Sequence, residues 1–397
     1  MDALTDFAPQ LLLVAALLLA ALAAAPLAGL VGIPGPAPFL AVGIVAGLTG
    51  IAPVDGLSAL HLQEIGVIAL YAILFQGGLA TGFLAWRREA RPILILGLPG
   101  TAATAALLAT FAHYALGLEW ALASFVGIAL APTDPAAVYG VLRRSSAAAP
   151  RTILEGESGF NDPIGISFMV VAIDHVAHDG ASSAGGVLRL AQELGIGLVG
   201  GVVGAALLIA LLAATPRIDQ SLQGAAMVVG AFIVGAATAS LQGSGFLAVY
   251  IAGLLLADRW TAQDGNHHEV PERLSAIAEP VLFGLLGASF APLVGLDDLW
   301  QGVAIAIVGA LVVRPLVASL CLLGSGLSRG ERFLVSWGGL KGAVPLLLAA
   351  FPALESLDGA DASKAIVLVA TAASVVVQGA TLSGVARRSL GAEPSAG

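Results

Sequence analysis

Long apolar stretches alternate with short polar loops along the whole chain. Most of these stretches approach the length of about 20 residues that an α-helix needs to cross a bilayer. The pattern therefore predicts an all-α polytopic membrane protein of about thirteen transmembrane helices. The predicted segments are 9–30, 35–52, 64–85, 92–116, 120–142, 152–174, 187–214, 220–240, 244–258, 273–294, 299–326, 332–352 and 362–386.

The basic residues in the loops between the segments fall mostly on one side of the membrane. With the N-terminus outside and the C-terminus inside, thirteen of the 17 basic residues fall in cytoplasmic loops. This asymmetry is what the positive-inside rule requires. It predicts a multi-pass protein of the cell inner (plasma) membrane, embedded in the lipid bilayer. The thirteen residues are Arg87, Arg88, Arg91, Arg143, Arg144, Arg151, Arg217, Arg259, Arg273, Arg329, Arg332, Arg387 and Arg388.

Composition supports the same class. The chain is 58% hydrophobic and 11% charged, with a mean hydropathy of +0.95. Its one cysteine, Cys321, excludes an internal disulfide and a cysteine-based metal cluster. We expect one transmembrane domain over 1–397, no soluble regulatory domain, no cofactor and no nucleic-acid partner.

Two of the segments are predicted to be broken. The fifth contains Pro132 and Pro135 on either side of Asp134, and the twelfth contains Lys341 among three glycines before Pro345. Proline lacks the amide hydrogen that would bond to the residue four positions earlier, so it interrupts the helix. Unwound backbone at membrane depth persists only where it is buried or lines a cavity. We therefore expect both breaks to lie at a functional site.

The breaks occupy matching places in the two halves of the chain. Asp134 lies 125 residues after the start of the first segment, and Lys341 lies 121 residues after the start of the eighth. Because seven segments separate the two starts, the second unit enters the membrane from the opposite side. This predicts two inverted six-helix repeats, 9–174 and 220–386, joined by a connecting helix at 187–214. Such repeats with broken helices are typical of secondary transporters with a site near the midplane.

The sixth segment begins with an unusual polar cluster. Glu155, Glu157 and Asp162 lie close together, although an ionised side chain at a helix centre costs roughly 2.5–3.5 kcal/mol on insertion scales. On a helical wheel Ser158 and Asp162 share a face with Glu155, and Glu157 and Asn161 form a neighbouring row. A capping cluster at the membrane surface would account for Glu155 and Glu157. It would not account for Asp162, which lies almost two turns further in.

The polar residues at membrane depth form a short set with hard oxygen atoms. Without sulfur or a histidine cluster, such a set suits an alkali cation or a proton better than zinc or copper. Arg314 and Lys341 can neutralise two of the acids, which leaves a carboxylate free to exchange protons and cations. The set comprises Thr133, Asp134, Glu157, Ser158, Asn161, Asp162 and Lys341, with Arg314, Gln76 and Glu279 as secondary candidates.

In these motifs the sequence resembles the bacterial monovalent cation:proton antiporters of the Na+/H+ and K+/H+ exchanger group, in the subgroup with Asn-Asp. The resemblance spans segments 3 to 12. The motifs that carry it are Thr133-Asp134-Pro135, Glu157-Ser158, Asn161-Asp162 and Gly339-Leu-Lys-Gly-Ala-Val344.

The resemblance implies a role for each of these residues. Asp162 would bind either the proton or the cation, Na+ or K+, and Ser158, Thr133 and Asp134 would help to coordinate the ion. Asn161 would brace the crossing of the broken helix. Glu157 would form a structural ion pair with Lys341. The implied fold is a thirteen-helix homodimer in which a core domain moves against a dimer domain, with a role in pH homeostasis.

Two positions depart from the pattern of this group. Lys341 stands where the group usually has arginine, and Gln76 stands where many members have an acid. Electrogenic relatives carry Asp-Asp where this chain has Asn161-Asp162, so the resemblance implies electroneutral exchange. The Ala-Val-Pro345 ending of the twelfth-segment motif favours the K+/H+ relatives over the Na+/H+ relatives.

Two other functions also match parts of the sequence. A passive cation channel also places acids in a membrane, although channels are commonly rings of identical subunits. Gly156-Glu-Ser158-Gly matches the motif of rhomboid-like intramembrane serine proteases, but its helix end is opposite to that of His113 and His175. We therefore predict that the protein is not an enzyme. His267 and His268 are either pH sensors or part of a solvated loop.

Overall fold

The computed structural model describes residues 15–16, 19–20, 22–23, 36–51, 59–134, 148–178, 183–214, 219–260 and 269–390. Regular structure in these ranges is helical throughout, which confirms the predicted all-α class. Most of the first predicted segment lies outside them, as do Pro135, His267 and His268.

The α-helices of the described residues are numbered here in chain order. They are α1 Pro36–Leu48, α2 Ala59–Thr81, α3 Phe83–Arg88, α4 Ala90–Ile95, α5 Thr101–Leu116, α6 Trp120–Ala129, α7 Ala148–Ala177, α8 Ser183–Ala214, α9 Gln220–Ser240, α10 Gly245–Trp260, α11 Glu269–Phe290, α12 Leu296–Val308, α13 Arg314–Cys321, α14 Arg329–Trp337, α15 Ala343–Ala350 and α16 Ala360–Leu390.

Each predicted segment from the second to the thirteenth is overlapped by at least one of these helices. By length and composition, seven stretches of the described chain can cross a membrane, and this agrees with a multi-pass protein. They are Leu60–Thr81, Ala90–Leu116, Gly185–Ala214, Ser221–Ser240, Glu269–Leu293, Leu296–Cys321 and Ala360–Leu390. Shorter apolar helices occur at Ala37–Leu48, Trp120–Ala129 and Ala343–Glu355.

Two of the long stretches contain a π-helical turn that the hydrophobic pattern did not reveal. One, Leu96–Gly100, joins α4 to α5 and contains Pro99. The other, Gly309–Val313, joins α12 to α13 and is followed directly by Arg314 and Pro315. Proline removes a helical donor, and the wider turn accommodates the loss.

Small residues let several helices approach backbone to backbone. Gly43 of α1 meets Gly284 of α11 so closely that a methyl group on Gly43 would overlap the carbonyl of Gly284. Gly78 of α2 meets the carbonyl of Tyr250 on α10 in the same way. In lipid, where apolar side chains gain little by leaving their surroundings, such close packing holds helices together.

Both predicted breaks begin where the sequence placed them. In the fifth segment α6 ends at Ala129, and residues 131–134 are not helical. In the twelfth, α14 ends at Trp337 and α15 starts at Ala343, which confirms the break. In the unwound stretch 338–342 every residue except Lys341 is buried, so this backbone lies inside the protein, as the cost of exposing it to lipid demands.

Candidate functional site

The two broken segments meet backbone to backbone. The amide of Asp134 donates a hydrogen bond of 2.8 Å to the carbonyl of Leu340. The Asp134 carboxylate lies against Gly342, where an added methyl group would overlap it. Gly342 directly precedes α15, so the carboxylate faces the positive end of a helix dipole. The structure thus brings residues from two distant parts of the chain into one crossing.

The polar row of α7 faces this crossing. The side-chain amide of Asn161 donates a hydrogen bond of 2.9 Å to the hydroxyl of Thr133. Ser158 and Asp162, one turn apart on α7, are also buried. Asp134 directly follows Thr133 in the chain, and Asp162 directly follows Asn161. The five residues predicted to bind the ion are therefore gathered at one place.

The three acids of α7 have different surroundings. Glu155 accepts a hydrogen bond of 2.7 Å from Arg151 on the same helix. Glu157 is paired with Arg314. Oδ1 of Asp162 is buried and has no hydrogen-bond partner among the described residues, and the same is true of Oδ1 of Asn161. These two oxygens without a hydrogen-bond partner thus belong to neighbouring residues of α7.

The predicted ion pair between Glu157 and Lys341 is wrong. Arg314 donates to both carboxylate oxygens of Glu157, with 2.8 Å between its Nη2 and Oε2. The planar guanidinium fits a carboxylate with two parallel bonds, which an ammonium cannot do. Arg314 also donates to the carbonyls of Val335 and Ser336, at 3.2 Å and 3.4 Å, at the end of α14. The arginine therefore holds α7 and the first half of the broken helix together.

Lys341 has a different role at the crossing. Its ammonium donates to the carbonyl of Pro132 at 3.1 Å and to that of Ala131 at 3.4 Å. These carbonyls directly follow α6 and lack the helical donors that a continuous helix would provide. A cation near the negative end of a helix also offsets its dipole. Lys341 therefore caps one broken helix from within the other.

Two of the three secondary candidates lie on neighbouring helices, α2 and α11. Glu279 of α11 has a buried Oε1 without a partner in the described chain. Gln76 of α2 also has a buried and unpartnered Oε1 within the described ranges. Because α2 packs against α11, both belong to the same wall of the protein. Arg314, the third secondary candidate, lies at the centre of the site.

An aromatic residue that the sequence analysis missed supports the polar row. Tyr250 of α10 is fully buried and packs against Gly159, where an added methyl group would overlap its ring. Its ring also meets that of Phe160 edge to face, with 6.2 Å between the centroids. The available signal was Gly159, a residue without a side chain between Ser158 and Phe160. The aromatic pair fixes the back of α7 behind the polar row.

The geometry offers a monovalent cation a set of oxygen ligands. Asp162, Asn161, Ser158 and Thr133 carry carboxylate, amide and hydroxyl oxygens, which hard cations prefer. No group of three or more His, Cys, Asp or Glu side chains suited to a metal ion occurs in the described residues. Asp162 supplies the one carboxylate of these four side chains, and one carboxylate with neutral oxygens suits a weakly held, exchangeable ion better than a permanently bound divalent metal.

Comparisons with known proteins found a matching family model and related antiporters. A family model described as "Sodium/hydrogen exchanger, transmembrane" matches residues 14–388. The K(+)/H(+) antiporter NhaP2 of Shewanella sp. (strain ANA-3) is 32% identical over 368 residues, covering 91% of this chain and 64% of that protein. The Na(+)/H(+) antiporter NhaS2 of Synechocystis sp. (strain ATCC 27184 / PCC 6803 / Kazusa) is 28% identical over 373 residues, covering 89% and 67%. The chain thus spans less than two thirds of the length of the Shewanella relative.

A solved structure shares the fold. The sodium proton antiporter MjNhaP1 from Methanocaldococcus jannaschii at pH 8 aligns with a TM-score of 0.81 at 23% sequence identity. The alignment covers 99% of this chain and 100% of that chain. At this identity the likeness establishes the fold alone.

Proposed function

The chain belongs to the family of transmembrane sodium/hydrogen exchangers, and from that premise we propose that it exchanges a monovalent cation for protons across a membrane. One observation carries the proposal. Asp162 keeps a buried carboxylate oxygen with no hydrogen-bond partner among the described residues, beside two crossed helix breaks. A carboxylate left in this state inside a membrane protein is available to bind either a proton or a cation.

In the proposed cycle the proton and the cation compete for Asp162. When the carboxylate releases its proton, Oδ1 and the free Oδ1 of Asn161 bind the cation, with hydroxyl oxygens from Ser158 and Thr133. When a proton binds, the charge that held the cation disappears and the cation leaves. If the site opens to only one side at a time, this competition becomes an exchange. Asp134 adds negative charge beside the site and does not itself exchange the proton for the cation.

The other charged groups of the crossing hold its geometry in this proposal. Arg314 keeps Glu157 paired, so that Glu157 takes no part in proton exchange. Lys341 keeps the end of α6 in place through the carbonyls of Ala131 and Pro132. With one exchanging carboxylate, each cycle carries one proton against one monovalent cation, and the exchange is electroneutral.

We further propose the setting in which this exchange occurs. The loop charges favour the cell inner membrane, with the N-terminus outside and the C-terminus in the cytoplasm. Two inverted repeats, 9–174 and 220–386, would provide the two faces of the site, with 187–214 connecting them. A homodimer would hold one part of each protomer fixed while the crossing moves. The cation is Na+ or K+, since the named relatives include antiporters of both kinds.

The two alternatives fit the site less well. A passive channel needs a continuous path, whereas the candidate oxygens here are buried at a packed crossing of helices. An intramembrane serine protease needs a histidine beside Ser158. His113 is instead near the outer end of α5, with its Nδ1 2.8 Å from the carbonyl of Leu118. We therefore propose a transporter without enzymatic activity.

The test uses everted membrane vesicles with a pH-sensitive dye. Addition of Na+ or K+ to vesicles with the wild-type protein should release protons from the lumen, whereas Asp162→Asn should abolish the signal while the protein remains inserted and folded. Asp174→Asn is the matched control, since it neutralises an aspartate that lies on the same helix but is 39% exposed. Wild-type exchange rates in Asp162→Asn would refute the assignment.

A further inference from the structure

The break in the twelfth segment separates two backbone groups that an unbroken helix would join. In a continuous α-helix the amide of Lys341 would donate to the carbonyl of Trp337, four residues earlier. Here two side chains of α16 stand between them. The Lys341 amide donates to the hydroxyl of Ser374 at 3.1 Å. The hydroxyl donates to Oε1 of Gln378 at 2.6 Å, and Nε2 of Gln378 donates to the Trp337 carbonyl at 3.2 Å.

The hydrogen-bonding roles in this relay are consistent at every step. A serine hydroxyl can accept one bond while it donates another, and a glutamine amide carries an acceptor and a donor at opposite ends. If the amide of Gln378 were turned over, its oxygen would face the carbonyl oxygen of Trp337. Only the observed orientation therefore connects Lys341 to Trp337 through Ser374 and Gln378.

The two side chains of the relay are buried. Ser374 is 5% exposed and Gln378 is 3% exposed. A buried amide or carbonyl left without a partner is costly in a protein interior, and more so at membrane depth. The two side chains replace the missing helical bond and leave the backbone unwound between α14 and α15.

The relay acts directly on the residues of the crossing. Its first donor is the amide of Lys341, whose ammonium caps the end of α6 beside Thr133. The preceding residue, Leu340, accepts the amide of Asp134 at 2.8 Å. A shift of the backbone at Lys341 would therefore be passed to both ends of the segment that contributes Thr133 and Asp134.

We propose that Ser374 and Gln378 are positioning residues of the cation site, which act through the backbone of Lys341. This rests on the proposed exchange activity. Neither side chain contacts the ion in this scheme. They keep the second broken helix open at the spacing that lets Lys341 and Leu340 hold the first one. Loss of the relay should therefore weaken cation binding more than it weakens the fold.

A small cavity decides which variants test the relay. A space of about 20 Å³, lined by residues that include Arg314, Lys341, Ser374 and Gln378, lies beside it. Since one water needs roughly 10–15 Å³, a water entering there would replace a deleted hydroxyl. Ser374→Val fills that space with a methyl group and is sharper than Ser374→Ala. Gln378→Met keeps an unbranched chain of similar length without the amide.

The matched control lies one turn further along α16. Thr381 accepts a hydrogen bond of 3.0 Å from the indole nitrogen of Trp337, so it contacts the same residue through its side chain and not its backbone. In proteoliposomes, Ser374→Val and Gln378→Met should raise the apparent KM for the driving cation roughly five- to tenfold. Thr381→Val should leave the KM within about twofold of wild type, and Ser374→Thr, which keeps the hydroxyl, should do the same.

Hydrogen–deuterium exchange of residues 338–342 provides a readout that does not require transport. Gln378→Met should speed exchange there, whereas Thr381→Val should not. If the wild-type protein moves no protons but Gln378→Met still speeds hydrogen–deuterium exchange at 338–342, the proposed transport activity fails and the relay stands. The proposal would be overturned if both relay variants kept the wild-type KM for the cation and the wild-type rate of hydrogen–deuterium exchange. The proposal would also be overturned if the rise in KM only paralleled a loss of thermal stability and if Ser374→Thr, which keeps the hydroxyl, showed the same rise.

Discussion

The amide of Asp134 and the carbonyl of Leu340 are joined by a hydrogen bond of 2.8 Å, although 206 positions separate the two residues in the sequence. The bond ties the unwound end of the fifth segment to the unwound middle of the twelfth. Each break supplies a partner for a backbone group that the other leaves free. Neither break would be stable at membrane depth without the other, so the site is built jointly by both halves of the chain.

Substitution of Gly342 should displace the Asp134 carboxylate without changing any charge. A methyl group at Gly342 overlaps that carboxylate, which must then move. Because a misplacement of about 1 Å can cost roughly a hundredfold in rate, Gly342→Ala should lose most of its exchange activity. Gly384→Ala is the control, since an added methyl there has no neighbouring atom within 4 Å. Comparable exchange by both variants in proteoliposomes would show that the position of Asp134 is unimportant.

Loss of Arg314 should destabilise the protein strongly. Arg314→Ala leaves Glu157 buried and unpaired, and breaking a buried pair in this way costs about 3–5 kcal/mol. Addition of Glu157→Gln should recover part of the loss, because it removes the unpaired charge. Thermal unfolding in detergent, followed by tryptophan fluorescence, measures both effects. Arg189→Ala, which breaks a pair with Glu193 in which the arginine is 45% exposed, should change the midpoint little.

Loss of Lys341 should destabilise the protein less than loss of Arg314. Lys341→Ala removes two hydrogen bonds to carbonyls near α6, which is worth about 1–3 kcal/mol, but it leaves no carboxylate unpaired. Lys341→Arg keeps a donor for the same carbonyls and should be tolerated. The same thermal measurement ranks the variants. If Lys341→Ala unfolded at a lower temperature than Arg314→Ala, an ionic role for Lys341 would have to be reconsidered.

Exchange should be insensitive to the membrane potential. With one proton exchanged for one monovalent cation, no net charge crosses the membrane, whereas an electrogenic cycle would gain or lose about 2.3 kcal/mol per charge per 100 mV. In proteoliposomes the potential should be set with a lipophilic ion, since K+ is a candidate substrate. Cation-driven pH change should then be independent of the sign and size of the potential. A rate that follows the voltage would require a second exchanging group, and Asp134→Asn would be the first variant to examine.

Much of this architecture follows from local features of the chain. Apolar segments of membrane length, basic loops on one side and proline at two matched places predicted the helical class and both breaks. These predictions succeed because burial in lipid and the missing proline amide act within a few residues. The same logic is the reason for proposing Asp162 as the exchanging acid, since an acid inside an apolar segment is costly wherever the neighbouring helices lie.

The partners of these residues were decided only by the tertiary structure. By sequence alone, either Arg314 or Lys341 could pair with Glu157. Because α13 packs against α14, Arg314 lies beside Glu157 and pairs with it. Lys341 instead caps the end of α6. The π-helical turn before Arg314 and the relay through Ser374 and Gln378 have no signature in the hydrophobic pattern. A hydrogen bond or ion pair depends on distances of a few ångströms between residues far apart in the chain. Those distances are set by how whole helices pack, and not by the local order of residues.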